Sequence, residues 1–297
     1  QKPSAEILAL ADFERAPSVS MDTKKEYMLF MYRNTYKTLD ELNQEEMRLG
    51  GLRVNPVTNI SSTANYYKNL KIRKIKETQV EPTQVTGLPD EPKITNISWS
   101  PNDTKIAFTH TTSNGVELWV IDVATAVATR LTEANLNCNL GSPFNWYKDN
   151  QSLLVKLIPA DRPALIDKKK ELPLGPTISV ADGKVSQNRT FQDLIKNKTD
   201  EQNFETLVSA ELYKVSLNGE KSLYKGKDMY SAQSFSPDGK YVMLTMIRKP
   251  FSYIVPLHRF PQTTIVYDLA GNEIKVVNSI PLNEIMPKGF AAAREGK

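Results

Sequence analysis

Cysteine is almost missing from this chain: Cys138 stands alone among 297 residues, so no disulfide can close within it. Histidine is nearly as scarce. His110 and His258, with one cysteine, leave too little for a zinc site, and no metal or cofactor is expected. No apolar run approaches the roughly 20 residues of a membrane-spanning helix. Charge of one sign is also missing. The 38 basic and 34 acidic residues leave a formal +4, which makes no case for nucleic acid or an acidic membrane as partner. The one basic run, Lys168–Lys170, sits between prolines and reads as a solvated loop. Gly-x-Ser-x-Gly, a Walker loop, HExxH, an EF-hand loop and a dinucleotide fingerprint are all absent. No catalytic residue can be assigned, because no nucleophile is paired with a base.

What is present is enough for one large or two ordinary domains, with 40% hydrophobic and 24% charged residues. The chain opens on Gln1 rather than Met, from which a processed terminus and a periplasmic or extracellular location are expected.

One pattern recurs. "YSAQSFSPDGKYVMLTM" at 230–246 sets an aromatic before a Ser-Pro-Asp-Gly turn and a second apolar run after it. "TNISWSPNDTKIAFTHT" at 95–111 matches it, as does "SPFNWYKDNQSLLVKLI" at 142–158 and, more weakly, "APSVSMDTKKEYMLFMY" at 16–32. Alternating residues before each turn have the period of a half-buried strand, so each copy predicts a hairpin. Turns at Asp122–Thr125, Asn218-Gly219 and Ala270–Asn272 predict a second hairpin after three of them. Units of four antiparallel strands, repeating every roughly 40–50 residues, are the signature of propeller blades. A sandwich would hold hairpins but would not repeat the same one at this period. The expected fold is therefore an all-β, incomplete propeller over 1–297 with short helical insertions. Trp99, Trp146 and Phe235 are each expected to be mostly buried at the same position in successive blades.

Two stretches interrupt the repeat. Residues 33–53 look helical in their middle, and 159–206 carry four prolines and then a helix expected near 190–196. His110 follows directly after an expected strand and reads as a blade-surface residue. His258 lies in the constrained loop "PLHRFP".

Three stretches then point to a family. "EEMRLGGLRVNPVTN" at 45–59, "RTFQDLIKNKTDEQNFE" at 189–205 and "RKPFSYIVPLHRFPQ" at 248–262 resemble, in order and spacing, the N-terminal region of prolyl oligopeptidase family serine peptidases. The nearest likeness is to the branch of plant chloroplast glutamyl endopeptidases and related secreted bacterial peptidases. The resemblance implies a noncatalytic propeller that caps a C-terminal α/β-hydrolase domain of the same polypeptide and gates peptide access to it. Relatives tend to carry an arginine after "GLR…TN", where this chain reads Asn59-Ile60-Ser61-Ser62-Thr63 without a basic residue. The competing reading is a self-contained propeller that binds protein or glycan. A propeller hydrolase with a central metal would need a ring of inward ligands that the repeat does not offer.

If the whole enzyme prefers acidic peptides, candidate substrate-holding residues are Arg259 first and Arg53 second, with His258 and Arg248. Pro250 and Pro256 stiffen the loop around Arg248, His258 and Arg259, and a guanidinium fork pairs both oxygens of a carboxylate.

Overall fold

The computed structural model describes residues 3–11, 13, 15–167 and 191–285. The Lys168–Lys170 run lies outside the described residues. A short helix α1 (Ala5–Ala11) leads into the first blade, whose inner strands are β1 (Ser18–Met21) and β2 (Tyr27–Tyr32). The chain then leaves the blade for a small helix α2 (Leu39–Leu42) and a three-stranded sheet of β3 (Met47–Leu49), β4 (Leu52–Asn55) and β5 (Ile60–Ser61). It returns as β6 (Asn69–Lys74) and β7 (Thr83–Gln84), which complete the first blade. The second blade is continuous: β8 (Ile94–Trp99), β9 (Lys105–Thr111), β10 (Val116–Asp122) and β11 (Val127–Arg130). The third is β12 (Phe144–Trp146) and β13 (Ser152–Leu157), then an excursion containing helix α3 (Lys198–Val208), then β14 (Ala210–Ser216) and β15 (Lys221–Asp228). The fourth is β16 (Tyr230–Phe235), β17 (Tyr241–Ile247), β18 (Gln262–Asp268) and β19 (Glu273–Ile280).

Among the described residues these strands form four antiparallel four-stranded sheets, the blades of a β-propeller that does not close into a ring. Each blade presses its apolar face on the next. Leu29, Leu70 and Ile72 of the first meet Ile94, Ile106 and Phe108 of the second. Val116 and Leu118 of the second meet Phe144, Leu153 and Val155 of the third. Leu154 and Leu212 of the third meet Val242, Leu244 and Ile265 of the fourth. The outermost strand β19 is exposed along its whole length.

The four inner hairpin turns are built alike. In each, a fourth residue takes the left-handed backbone region: Lys25 (φ 56°), Asp103 (φ 65°), Asn150 (φ 57°) and Gly239 (φ 73°). Each donates its N–H to the carbonyl three residues back, at 2.8–3.3 Å. Neighbouring turns also clasp one another. The Thr23 N–H donates to Asp103 Oδ1 at 3.2 Å, and the Asn102 N–H donates to Asn150 Oδ1 at 2.8 Å.

Trp146 is buried, and Trp99 and Phe235, though half-buried, pack against the cores between blades, so all three keep most of their surface covered as expected: Trp99 donates to Ser20 Oγ at 3.0 Å, and Phe235 packs on the Tyr147 ring. Two expectations need correction. The middle of 33–53 is helical only over α2. Thr38 and Glu41 close a capping box there, while Gly50 and Gly51 (φ 61° and 88°) turn the following residues into the β3–β4 hairpin. The helix expected near 190–196 begins later, at Lys198, because Asn197 caps it by accepting from the Asp200 N–H at 2.8 Å.

Candidate functional site

Successive strands of each blade are antiparallel, so every second-to-third connection leaves from the end opposite the inner turns. In the second blade that connection is the short turn Thr112–Gly115. In the first, third and fourth blades it is long, and the three excursions pack together at that one end. Leu49 and Val54 from the first, Ile195, Phe204 and Leu207 from the third, and Phe251, Val255 and Phe260 from the fourth form a core separate from those between the blades. Phe204 meets Phe251 and Phe260 edge-on, with ring centroids 5.0 and 5.8 Å away. A side chain at Gly51 would strike Pro256 at 2.9 Å, so the β3–β4 turn fits this close approach only as glycine. Main-chain bonds seal the junction: Gly51 N–H to the Asp193 carbonyl and Leu257 N–H to the Gly50 carbonyl, both 2.8 Å.

Three of the four candidate residues meet on one short segment at this junction. Arg53 donates from Nε to Asp193 Oδ2 at 2.7 Å, and Arg48 approaches the other oxygen at 3.7 Å. The hydrogen bond to Asp193 holds the Arg53 guanidinium protonated more firmly still. Arg259 and His258 sit on a 3₁₀ turn, Leu257–Arg259. The Arg259 guanidinium lies 5.9 Å from the centre of the Phe191 ring and the His258 ring meets that ring edge-on at 6.2 Å. Arg259 also donates to the Ile285 carbonyl at 3.1 Å, and among the described residues no carboxylate pairs with it. Arg248 is not part of the group. It is bound to Asp228 at 2.6 Å, on the last strand of the third blade. The sequence did not single out Phe191 or Asp193, although both lie in the second stretch that carried the resemblance.

His110 corrects its own expectation. It lies within β9, not after it, and is 7% exposed. Burial lowers its pKa, and its Nδ1 accepts from the Lys93 N–H at 3.2 Å. It lines a cavity of about 410 Å³ between the first-blade excursion and the second blade. Asp40, Glu41, Asp90 and Glu91 stand around the same space with Lys93. Burial pushes the Glu41 carboxyl up, but hydrogen bonds from Lys68 and the Thr38 N–H bring it to a net value below the usual range. Among the described residues no three His, Cys, Asp or Glu side chains are grouped to hold a metal, and no helix is long and apolar enough to cross a membrane.

No family model matches the chain. Over 99% of its length it is 32% identical to a probable chloroplastic glutamyl endopeptidase of Oryza sativa subsp. japonica, of which it covers 32%. The chain thus spans about a third of the length of the curated relatives it matches. Among solved structures it is similar to the Pyrococcus horikoshii acylaminoacyl peptidase, at 12% identity and a TM-score of 0.48, over 91% of this chain and 33% of that one. It is also similar to the β-propeller domain of the Trilobed protease from Pyrococcus furiosus, at 13% identity and a TM-score of 0.41, over 89% of this chain and 58% of that one.

Proposed function

The chain is a β-propeller region of the prolyl oligopeptidase family, in its glutamyl endopeptidase-like branch, and from this premise we propose that it is the noncatalytic cap of a larger serine peptidase. The observation that carries this reading is the convergence of three excursions, from the first, third and fourth blades, into one core at one end of the stack. The same three stretches carry the sequence likeness. In our reading this end faces the α/β-hydrolase domain of the same polypeptide and restricts the passage of peptides to its nucleophile. Long excursions on one face of a regular array are where such arrays place function.

The group around Phe191 then supplies substrate recognition. Arg259 keeps a guanidinium with no acidic partner among the described residues, beside an aromatic face. That is the equipment to hold a peptide carboxylate, a glutamate side chain in the preferred case.

Lysine cross-linking of the longer polypeptide, read by mass spectrometry, tests the orientation. Lys198 and Lys249, exposed at the excursion end, should link to the hydrolase domain. Lys24 and Lys148, exposed at the inner-turn end, should not. Links from Lys24 or Lys148 would reverse the orientation. A polypeptide that has no hydrolase domain and takes up no serine-reactive probe would leave a binding propeller in place of the peptidase cap.

A further inference from the structure

Arg162 is set apart from other arginines at the excursion end. Arg53 is bound to Asp193, Arg48 to Glu46 and Arg248 to Asp228. Arg162, in the third-blade excursion beyond β13, has no carboxylate partner among the described residues. Its guanidinium is half-buried, and its one side-chain hydrogen bond runs from Nη1 to Asn59 Oδ1 in the first-blade excursion. Burial lowers its pKa, and no other charged group offsets that. The acceptor is fixed. Asn59 is 5% exposed, its Nδ2 donates to the Val57 carbonyl at 3.1 Å, and its own carbonyl accepts from the Cys138 N–H at 2.9 Å. The segment after Arg162 is fixed as well. Leu165 packs on the excursion core, and the Ile166 main chain exchanges two hydrogen bonds with the Asn203 amide of α3. What is left open is the Nε–Nη2 edge of the guanidinium. Neither nitrogen has a partner among the described residues, and neither is sealed from solvent.

We propose that the Nε–Nη2 edge of Arg162 holds a carboxylate of a peptide. Its two parallel N–H groups match the two coplanar oxygens of that group. A guanidinium already stripped of part of its water and held in place gives up little on binding. Its single charge, with no second cation acting on it, suits a carboxylate rather than a phosphate dianion. The carboxylate comes from an acidic side chain or from the chain terminus, and the edge treats both alike. The inference deepens the cap reading and rests on it for the peptide. It adds a second carboxylate site at the excursion end, on residues other than the Phe191 group.

The test is a set of ligand-observed NMR titrations of the longer polypeptide, carrying Arg259→Gln throughout so that the Phe191 group does not contribute. N-acetylglutamate amide offers a side-chain carboxylate, N-acetylglycine a terminal one and N-acetylglutamine amide none. At least one of the first two should bind roughly tenfold or more tightly than the third, and the tighter of them names the source. Adding Arg162→Gln should erase that margin. Arg162→Lys keeps the charge without the fork and should lose about threefold or more. Asn59→Gly keeps the left-handed turn at φ 59° without the acceptor and should lose about as much. A missing margin, a margin that survives Arg162→Gln, or full binding by Arg162→Lys or Asn59→Gly would overturn the proposal. Binding needs no hydrolysis. A polypeptide without a hydrolase domain would therefore sink the cap and leave this site standing, whereas a missing margin would sink this site and leave the cap standing.

Discussion

The indole nitrogen of Trp146 donates to the main-chain carbonyl of Ser98, 3.2 Å away on the preceding blade. One blade earlier, Trp99 reaches back in the same way to the Ser20 hydroxyl. The aromatic that marks each repeat is therefore a link between blades rather than a plug within one.

The two tryptophans should differ in what they contribute. Trp146 is buried among Phe144, Leu153 and Val155, and Trp146→Ala should cost about 3–5 kcal/mol of unfolding free energy. Trp99 is half-buried, and Trp99→Ala should cost less than half as much. Urea denaturation of both variants checks the order, and an equal loss would mean that burial does not set it.

The shared left-handed turn position makes a reciprocal pair of substitutions informative. Lys25→Gly should stabilise by about 0.5–1 kcal/mol, since a residue with a Cβ is strained at φ 56°. Gly239→Ala should destabilise by more than about 1 kcal/mol. It adds the same strain, and the new Cβ would meet Lys148 Cγ at 2.5 Å. Thermal melts that move both variants the same way would break the equivalence of the two turns.

Lys156 gives the fold an alkaline dependence. It is fully buried in β13, donates to the carbonyls of Leu140 and Tyr230, and has its pKa lowered by burial to about 8 from an ordinary 10.5. Below pH 8 both folded and unfolded chains carry the proton, and the buried charge is a full cost. Between pH 8 and 10.5 the folded chain sheds it first, so the unfolded chain binds more protons and stability rises with pH. The gap is worth on the order of 3 kcal/mol. Lys156→Met should lack this rise. Half-buried Cys138, whose thiol burial pushes up to about 12, acts in the opposite direction above pH 9 and interacts electrostatically with Lys156, so both proteins carry Cys138→Ala and the difference between their urea midpoints then isolates the lysine. A difference that stays constant from pH 7 to 10 would exclude the effect.

On the proposed peptidase reading, Arg259→Ala in the longer polypeptide should lower kcat/KM for Glu-containing peptides at least tenfold more than for their Gln counterparts, with Tm nearly unchanged. A charged hydrogen bond of about 1.5–3 kcal/mol sets that scale. Arg248→Ala, which frees Asp228, should not discriminate between the two peptides. Equal losses on both peptides, or a large fall in Tm, would assign Arg259 to the scaffold.

The blades were legible because a hairpin is a local object. Its turn residues and its alternation sit within about 17 residues of one another. The excursions were not, because what orders them is contact between chain segments far apart. The pairing of Arg53 with Asp193 spans 140 positions, and nothing local to either residue announces it. The α3 start was missed because Asn197, the cap that fixes it, lies just beyond the apolar residues that drew attention to 190–196. His110 was misplaced for a simpler reason. Polar residues at a strand end are usually wet, but this ring packs edge-on against Trp119 of the next strand and accepts from the Lys93 N–H, contacts made by residues that the hairpin pattern does not mark.

Contacts between neighbouring blades alone would leave an open stack free to bend at each of its interfaces. The core of Leu49, Phe204 and Phe260 changes that, because it ties the first blade directly to the third and fourth at one end and bypasses the second. At the other end, the inner turns touch only the turn beside them. The stack is thus bound more like a book than a fan: at the inner-turn end each leaf is stitched only to its neighbour, whereas at the excursion end a single spine runs across the first, third and fourth blades, and the Arg53–Phe191–Arg259 group sits on that spine.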